Sequence, residues 1–368
     1  MTAKPVSSKL FNTEKQDYSS PSLFLGDGGN GLFDTVNKKF PEIWELYKTM
    51  KSLDWDENEF NYSSCVNDFN TCDRATYDMM IKTLAWQWEA DSVASRISPI
   101  VGCFVSSSEL WAAWQRISDN EIVHAATYSE IVRNSFEDPS EILDEILKVK
   151  ESLDRMDKVV KVLTDSHVAA HEYALGVRTA EDTYDHVFMF AVAMLVLERI
   201  QFMSSFAVTF SICDTGMFQP IGKAIQKIAQ DELEVHVELD KAVLRREMKT
   251  ERGEDCFKRN KELIKEIIDE VVEGELRWNA YLFSEGREIV GINNKYLDMW
   301  TLYCARDVYS FFGIESEHKL PAKNPLKFME RWLNIGKSQG SPQEEDIAQY
   351  KVNVMRRDDE GEEFEVDF

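Results

Sequence analysis

Histidine is scarce in this chain, with six copies in 368 residues, so each can be weighed for chemistry. His124 closes the segment Glu121-Ile-Val-His124. On a helix, a spacing of three puts carboxylate and imidazole on one face, where both can chelate one cation. Glu315-Ser-Glu-His318 has the same spacing, but Lys319-Leu-Pro321 follows at once and marks a loop. A second carboxylate–imidazole pair lies in Asp231-Glu232-Leu-Glu-Val-His236. Its members are four apart, which also keeps two helical side chains on one face. Glu198 is embedded in the most apolar stretch of the chain. An unpaired buried carboxylate costs several kcal/mol, so Glu198 needs a cation, a structural salt bridge or a retained proton. Arg199 points about 100° away around a helix and is a poor rescuer. A fourth carboxylate is on offer from Trp88-Glu89-Ala-Asp91, as Glu89 or Asp91. Two helices that give a carboxylate each, and two that give carboxylate plus histidine, can cage two metal ions. Four carboxylates neutralise two divalent ions, and oxygen and imidazole donors suit iron or manganese.

Tyr128 lies one turn beyond His124 on the same face. A phenol beside metals that activate oxygen is open to one-electron oxidation, and the oxidised ring survives only when shielded from water and reductants. Phe202 and Phe206 follow Glu198 by four and eight residues, and Ile228 precedes Glu232 by four. All three fall on the metal-facing stripe, a placement that plain core packing predicts equally well.

The elements that must position these groups are helices. No proline occurs between Pro139 and Pro220, or between Pro220 and Pro321, and glycine numbers only 16, four of them in Gly26-Asp-Gly-Gly-Asn-Gly31. Helix interiors exclude proline, whereas a sheet protein of this size needs frequent turns. Helices are expected at about 38–51, 73–103, 108–135, 139–176, 181–212, 217–248, 256–287, 293–312 and 324–335, an all-α bundle. The 181–212 segment is apolar on nearly every face and belongs inside something larger. Its longest unbroken apolar run, Val187 to Leu197, has 11 residues. A transmembrane helix needs roughly 18 or more, so no membrane span is expected. No Gly-rich phosphate loop is present. With 42 Lys+Arg against 66 Asp+Glu the formal charge is −24, which repels nucleic-acid phosphates. Six scattered cysteines without a C-x-x-C pair, and no apolar leader, point to a reducing cytoplasm. Three regions follow: an extended N-terminal arm over 1–35, a helical domain over 36–335 and a flexible tail over 336–368. Seven of the last 11 residues are acidic, ending Phe364-Glu-Val-Asp-Phe368.

Together these motifs resemble the small, radical-generating subunit of class I ribonucleotide reductase, along nearly the whole chain. The resemblance rests on Glu121-Ile-Val-His-Ala-Ala-Thr-Tyr128, Asp91-Ser-Val-Ala-Ser-Arg96, Leu197-Glu-Arg-Ile-Gln-Phe202-Met-Ser-Ser-Phe206, Ile228-Ala-Gln-Asp-Glu232 and Asn324-Pro-Leu-Lys-Phe-Met-Glu-Arg-Trp332. It implies a ferritin-like bundle with additional helices, active as a homodimer with a large catalytic subunit that makes deoxyribonucleotides. The implied ligands are Asp91, Glu121 and His124 for one metal and Glu198, Glu232 and His236 for the other. Tyr128 would carry the radical. Asp231 and Trp55 would relay it toward Tyr350 in the tail, which docks on the large subunit. Iron is the implied metal, with manganese or a mixed pair as alternatives. A ferritin-like di-iron oxidase or hydroxylase is the competing reading. One departure stands out, because the family spaces the second glutamate and histidine three apart and this chain spaces them four apart. Either a π-bulge corrects the face or Glu234 takes a ligand's place.

Overall fold

A computed structural model of the chain describes residues 22–26 and 32–334. Helices α1 (Pro41–Ser52), α2 (Ser63–Thr71), α3 (Arg74–Ala94), α4 (Ser98–Val101) and α5 (Ser108–Ser135) come first. They are followed by α6 (Pro139–Ile146), α7 (Lys150–Ala174) and α8 (Ala180–Val196). A π-helical turn, π1 (Leu197–Gln201), joins α8 to α9 (Phe202–Cys213) without a break. A second, π2 (Glu232–His236), likewise joins α10 (Gln219–Asp231) to α11 (Val237–Glu247). The long α12 (Glu251–Leu282), α13 (Asn294–Phe312) and the single turn α14 (Met329–Trp332) complete the fold. Among the described residues there are two isolated β-bridges and no strand. The architecture is the expected all-α ferritin-like bundle with additional helices.

Local sequence sets the boundaries. The Asp73 side chain accepts from the Thr76 backbone N–H at 3.0 Å and starts α3, and Ser107 does the same for α5 through Leu110. Glu109 in the first turn of α5 accepts from the backbone N–H groups of Lys39 and Phe40, which ties the start of α1 to α5. Phe218, ahead of α10, holds the left-handed φ of 52°, and its N–H is taken by Asp68 Oδ2 at 2.7 Å. In the first turn of α12 a Cβ on Gly253 would lie 1.9 Å from the carbonyl oxygen of Glu247, the last residue of α11, so only glycine allows that close approach.

Several expected helices were drawn too long. The 73–103 span stops at Ala94 and restarts at Ser98, because Pro99 cannot continue the hydrogen-bond ladder. The 139–176 span divides after Ile146, since α6 packs on α3 and α5 while α7 packs on α8 and α12. The expected 324–335 helix reduces to Met329–Trp332, because the Asn324 side chain accepts the Leu326 N–H at 2.8 Å and holds a turn around Pro325. The short α2 was not foreseen.

The core is built around the continuous helix Ala180–Cys213, which contacts α3, α7, α12, α13 and, through π1, the second π turn. By length and composition this helix could span a bilayer, which corrects the run-length reading of the sequence. Its most apolar window is 94% buried inside the bundle, which is where its all-round hydrophobicity is satisfied.

Candidate metal centre

Four helices bring the ligand-type side chains together. Asp91 comes from the last turn of α3, and Glu121 and His124 come from the middle of α5. Glu198 comes from π1, and Glu232 and His236 from π2. All six have no measurable exposure. One set of mutually close donor atoms comprises Asp91, Glu121, His124 and Glu232, and a second comprises Glu121, Glu198, Glu232 and His236. Glu121 and Glu232 belong to both sets. Glu121 sets one oxygen 3.4 Å from His124 Nδ1 and the other 3.3 Å from His236 Nδ1. Glu232 does the same, at 3.2 Å and 2.8 Å. Two carboxylates that each face both imidazoles have the shape of bridging groups between two cations.

The π2 turn explains the spacing of four. A π turn carries an extra residue, so Glu232 and His236 share a face across the wide turn. Glu234 within it is exposed, and Glu89 is drawn off to the Ser152 hydroxyl, so neither joins the cluster. Arg199 pairs with Asp307 at 3.0 Å and leaves Glu198 alone. His318 pairs with Glu273 at 3.1 Å, away from the cluster.

The electrostatics require positive charge at the centre. Both oxygens of Asp91, Glu121 and Glu198 are buried without a hydrogen-bond donor, as are Glu232 Oε1 and His124 Nδ1. Burial, reinforced by Glu121, pushes the Asp91 carboxyl well above its ordinary range. Burial, reinforced by Glu232 and Glu121, does the same to Glu198. For Glu232 burial acts upward too, but the His236 charge, the 2.8 Å contact with His236 and the approach of His124 to 3.2 Å outweigh it and hold it low. Burial lowers the two imidazoles, yet the surrounding carboxylates win: His236 rises to about 10, and His124 is also held well above its usual value. Orphaned buried donors of this kind fit two divalent cations, since four carboxylates carry the charge that two such ions neutralise.

Behind His124 runs a hydrogen-bond chain. Asp231 Oδ2 accepts the Trp55 indole N–H at 2.8 Å and lies 3.1 Å from His124 Nε2. The Trp55 and His124 rings stack with centroids 5.9 Å apart. Tyr128 is fully buried, and its hydroxyl faces Asp91 without completing a hydrogen bond. Burial, then the Asp91 and Glu232 charges, raise its pKa strongly. Phe202, Phe206 and Ile228 are all buried, with Phe202 stacked on Phe206 and edge-on to Trp86. Tyr350 and the acidic tail lie outside the described residues.

One acid went unnoticed in the sequence. Asp240, one turn after His236, is fully buried with neither oxygen hydrogen-bonded, and burial raises its pKa despite the nearby His236 charge. Its signal was present, an acid at i+4 from a candidate ligand.

The chain is similar to known proteins along nearly its whole length. The model of the family "Ribonucleotide reductase, small chain" matches residues 32–325. Ribonucleoside-diphosphate reductase subunit beta of Buchnera aphidicola subsp. Schizaphis graminum is 24% identical, over 98% of this chain and 99% of the relative. The subunit beta of Enterobacteria phage T4 is 25% identical, over 95% and 96%. Among solved structures, the ribonucleotide reductase R2 subunit from Clostridium botulinum has a TM-score of 0.77 at 18% identity, covering 88% of this chain and 97% of that one. The dimanganese(II)-NrdF of Streptococcus sanguinis has a TM-score of 0.63 at 15% identity, covering 82% and 98%. This chain belongs to the small-chain family of ribonucleotide reductases.

Proposed function

We propose that the chain is the radical-generating subunit of a ribonucleoside-diphosphate reductase, with Asp91, Glu121 and His124 holding one metal ion and Glu198, Glu232 and His236 the other. Generating a tyrosyl radical at a di-metal site is the role of this family. The observation that carries the residue assignment is the paired reach of Glu121 and Glu232 to both imidazoles, beside a buried Tyr128. Bound there, the metal pair supplies the oxygen-driven one-electron oxidation that the side chains alone cannot.

The chain's own residues do the rest. Tyr128 stores the oxidising equivalent. Its strongly raised pKa means the phenol gives up its proton together with an electron, and the facing Asp91 carboxylate is where that proton goes. Phe202, Phe206 and Ile228 exclude water and reductants from this pocket. Asp231 fixes the His124 tautomer: with Nε2–H donated to Oδ2, the Nδ1 lone pair is left free for a cation. Trp55 donates to the same oxygen and lies near the surface at 8% exposure. It is the first outward station for the electron that returns to Tyr128, with Tyr350 the next. The tail over 336–368 is the segment that docks on the large subunit. Of the expected arm over 1–35, the described residues 22–26 do not stand apart: Leu23 and Phe24 are buried, and Leu25 N–H donates to the Phe104 carbonyl at 2.8 Å.

Iron is our reading of the metal pair. The carboxylate and imidazole donors serve manganese or a mixed pair as well, so metal analysis of protein loaded in air decides. Family members work with a large subunit and are typically dimeric, and we extend both properties to this chain. The six cysteines are all unpaired, which supports a reducing cytoplasmic setting. The test is Tyr128→Phe. Metal content should remain at two ions per chain while the radical signal in electron paramagnetic resonance disappears. A surviving tyrosyl signal would place the radical elsewhere.

A further inference from the structure

The π1 turn that carries Glu198 has no support of its own. A π turn breaks the regular ladder and is less favourable than α-helix, so something outside the helix must hold it open. Arg155 on α7 is in place to do so. Its Nη2 donates to the Gln201 carbonyl at the end of π1, at 2.9 Å, and the Gln201 side-chain Nε2 donates back to the Arg155 carbonyl at 2.7 Å. The guanidinium is itself immobilised. Its Nε and Nη2 form a fork onto Glu275 of α12 at 2.9 and 2.6 Å, and Nη1 reaches Ser205 Oγ at 3.3 Å. Trp86 and Trp278 cover the guanidinium, with centroids 3.8 and 4.4 Å from its carbon. Arg155, Glu275 and Gln201 are all buried.

A buried ion pair is weak evidence for stability, because well-packed apolar residues of the same volume do as well or better. This pair differs from such a packing substitute in one respect, its directed bond to the Gln201 carbonyl at the end of the π turn, three residues from Glu198. We propose that Arg155 is a positioning residue for Glu198: clamped by Glu275 and two indoles, it holds π1 open and so keeps Glu198 turned toward Glu232 and His236. Closing π1 into regular helix would rotate the residues on one side of it by about 100° relative to those on the other, which takes Glu198 out of the centre. This inference rests on the reading of Glu198 as a ligand.

The experiment is Mn(II) binding to metal-free full-length protein, followed by calorimetry and by the spin-coupled electron paramagnetic resonance spectrum of the ion pair. The variants are Arg155→Lys, Gln201→Met and Glu198→Ala. Glu198→Ala should lose one of two Mn(II) ions, and if it binds both unchanged, the ligand reading falls and this inference with it. Where Glu198→Ala behaves as expected, the clamp variants test the inference alone. Arg155→Lys cannot serve the Glu275 fork and the Gln201 carbonyl together. It should weaken one Mn(II) by about 10–100-fold, leave the other unchanged and alter the coupled spectrum. Gln201→Met removes one bond of the clamp without unpairing a buried charge, and should shift affinity and spectrum in the same direction. Should Arg155→Lys fail to fold by circular dichroism, Gln201→Met decides by the same criteria. Folded variants with wild-type affinity at both sites and an unchanged spectrum would overturn the proposal, whatever their melting temperatures.

Discussion

Loading the centre with metal should release protons at neutral pH, and the geometry gives the reason. Burial lowers both imidazoles, but the carboxylates around them outweigh it: His236 rises to about 10 and His124 is held well above its usual value, so both are charged at pH 7 when no cation is present. Burial among other carboxylates shifts Asp91 and Glu198 upward as well. A divalent ion takes an imidazole only in its neutral form, so about two protons or more should leave as two ions enter. This exchange limits the net charge carried into the core, which is the condition for low cost in a site of this burial. Each proton released adds about one decade per pH unit to the overall binding constant, so between pH 6 and 7 it should rise by about two decades or more. Anaerobic calorimetry with Mn(II) in buffers of different ionisation enthalpy reads the count directly. A release of one proton or fewer at pH 7 would refute the charge-exchange argument.

Other outcomes follow from the same contacts. Asp231→Asn removes the carboxylate from the Trp55–Asp231–His124 chain, and should weaken one metal ion by about 10–100-fold while slowing radical transfer; unchanged affinity by titration would deny Asp231 its orienting role. The metal-free protein should lose stability as pH rises. His236 has a folded pKa raised from 6.5 to about 10, so its contribution is complete below about 6.5 and lost on passing 10. The raised carboxyls of Asp91 and Glu198 act with the same sign, losing their contribution above their ordinary values. Melting temperatures that climb from pH 6 to 9 without metal would contradict this. Phe206→Ala should cost about 3–5 kcal/mol in denaturant titration and, by admitting water, shorten the lifetime of the Tyr128 radical.

What the sequence revealed depended on how local each signal was. Glu121, His124 and Tyr128 were legible because regular helix turns spacings of three and four into one face. Glu198 was legible as an acid with no polar company in a helix apolar all round. Glu232 and His236 were ambiguous for the opposite reason. Their pairing depends on a π turn, and π2 packs against π1 from a different part of the chain. Local sequence could not choose between Glu89 and Asp91; Ser152, some sixty residues away, decides by taking Glu89. The Arg155–Glu275 clamp had no local signal at all, since its members are 120 residues apart. The division of 139–176 and the shortening of 324–335 likewise came from neighbours and a side-chain turn rather than from any break in hydrophobic pattern.

The helix Ala180–Cys213 also bears on biosynthesis. It leaves the ribosome before α10, α11, α12 and α13 exist to cover it, so for an interval a segment greasy enough for a bilayer faces water. Newly made chains are then at risk of sticking to each other at this segment, and slow translation of the following helices lengthens the risk. Recovery of active protein from denaturant should accordingly fall as chain concentration rises, and a holdase chaperone that shields apolar helices should restore it.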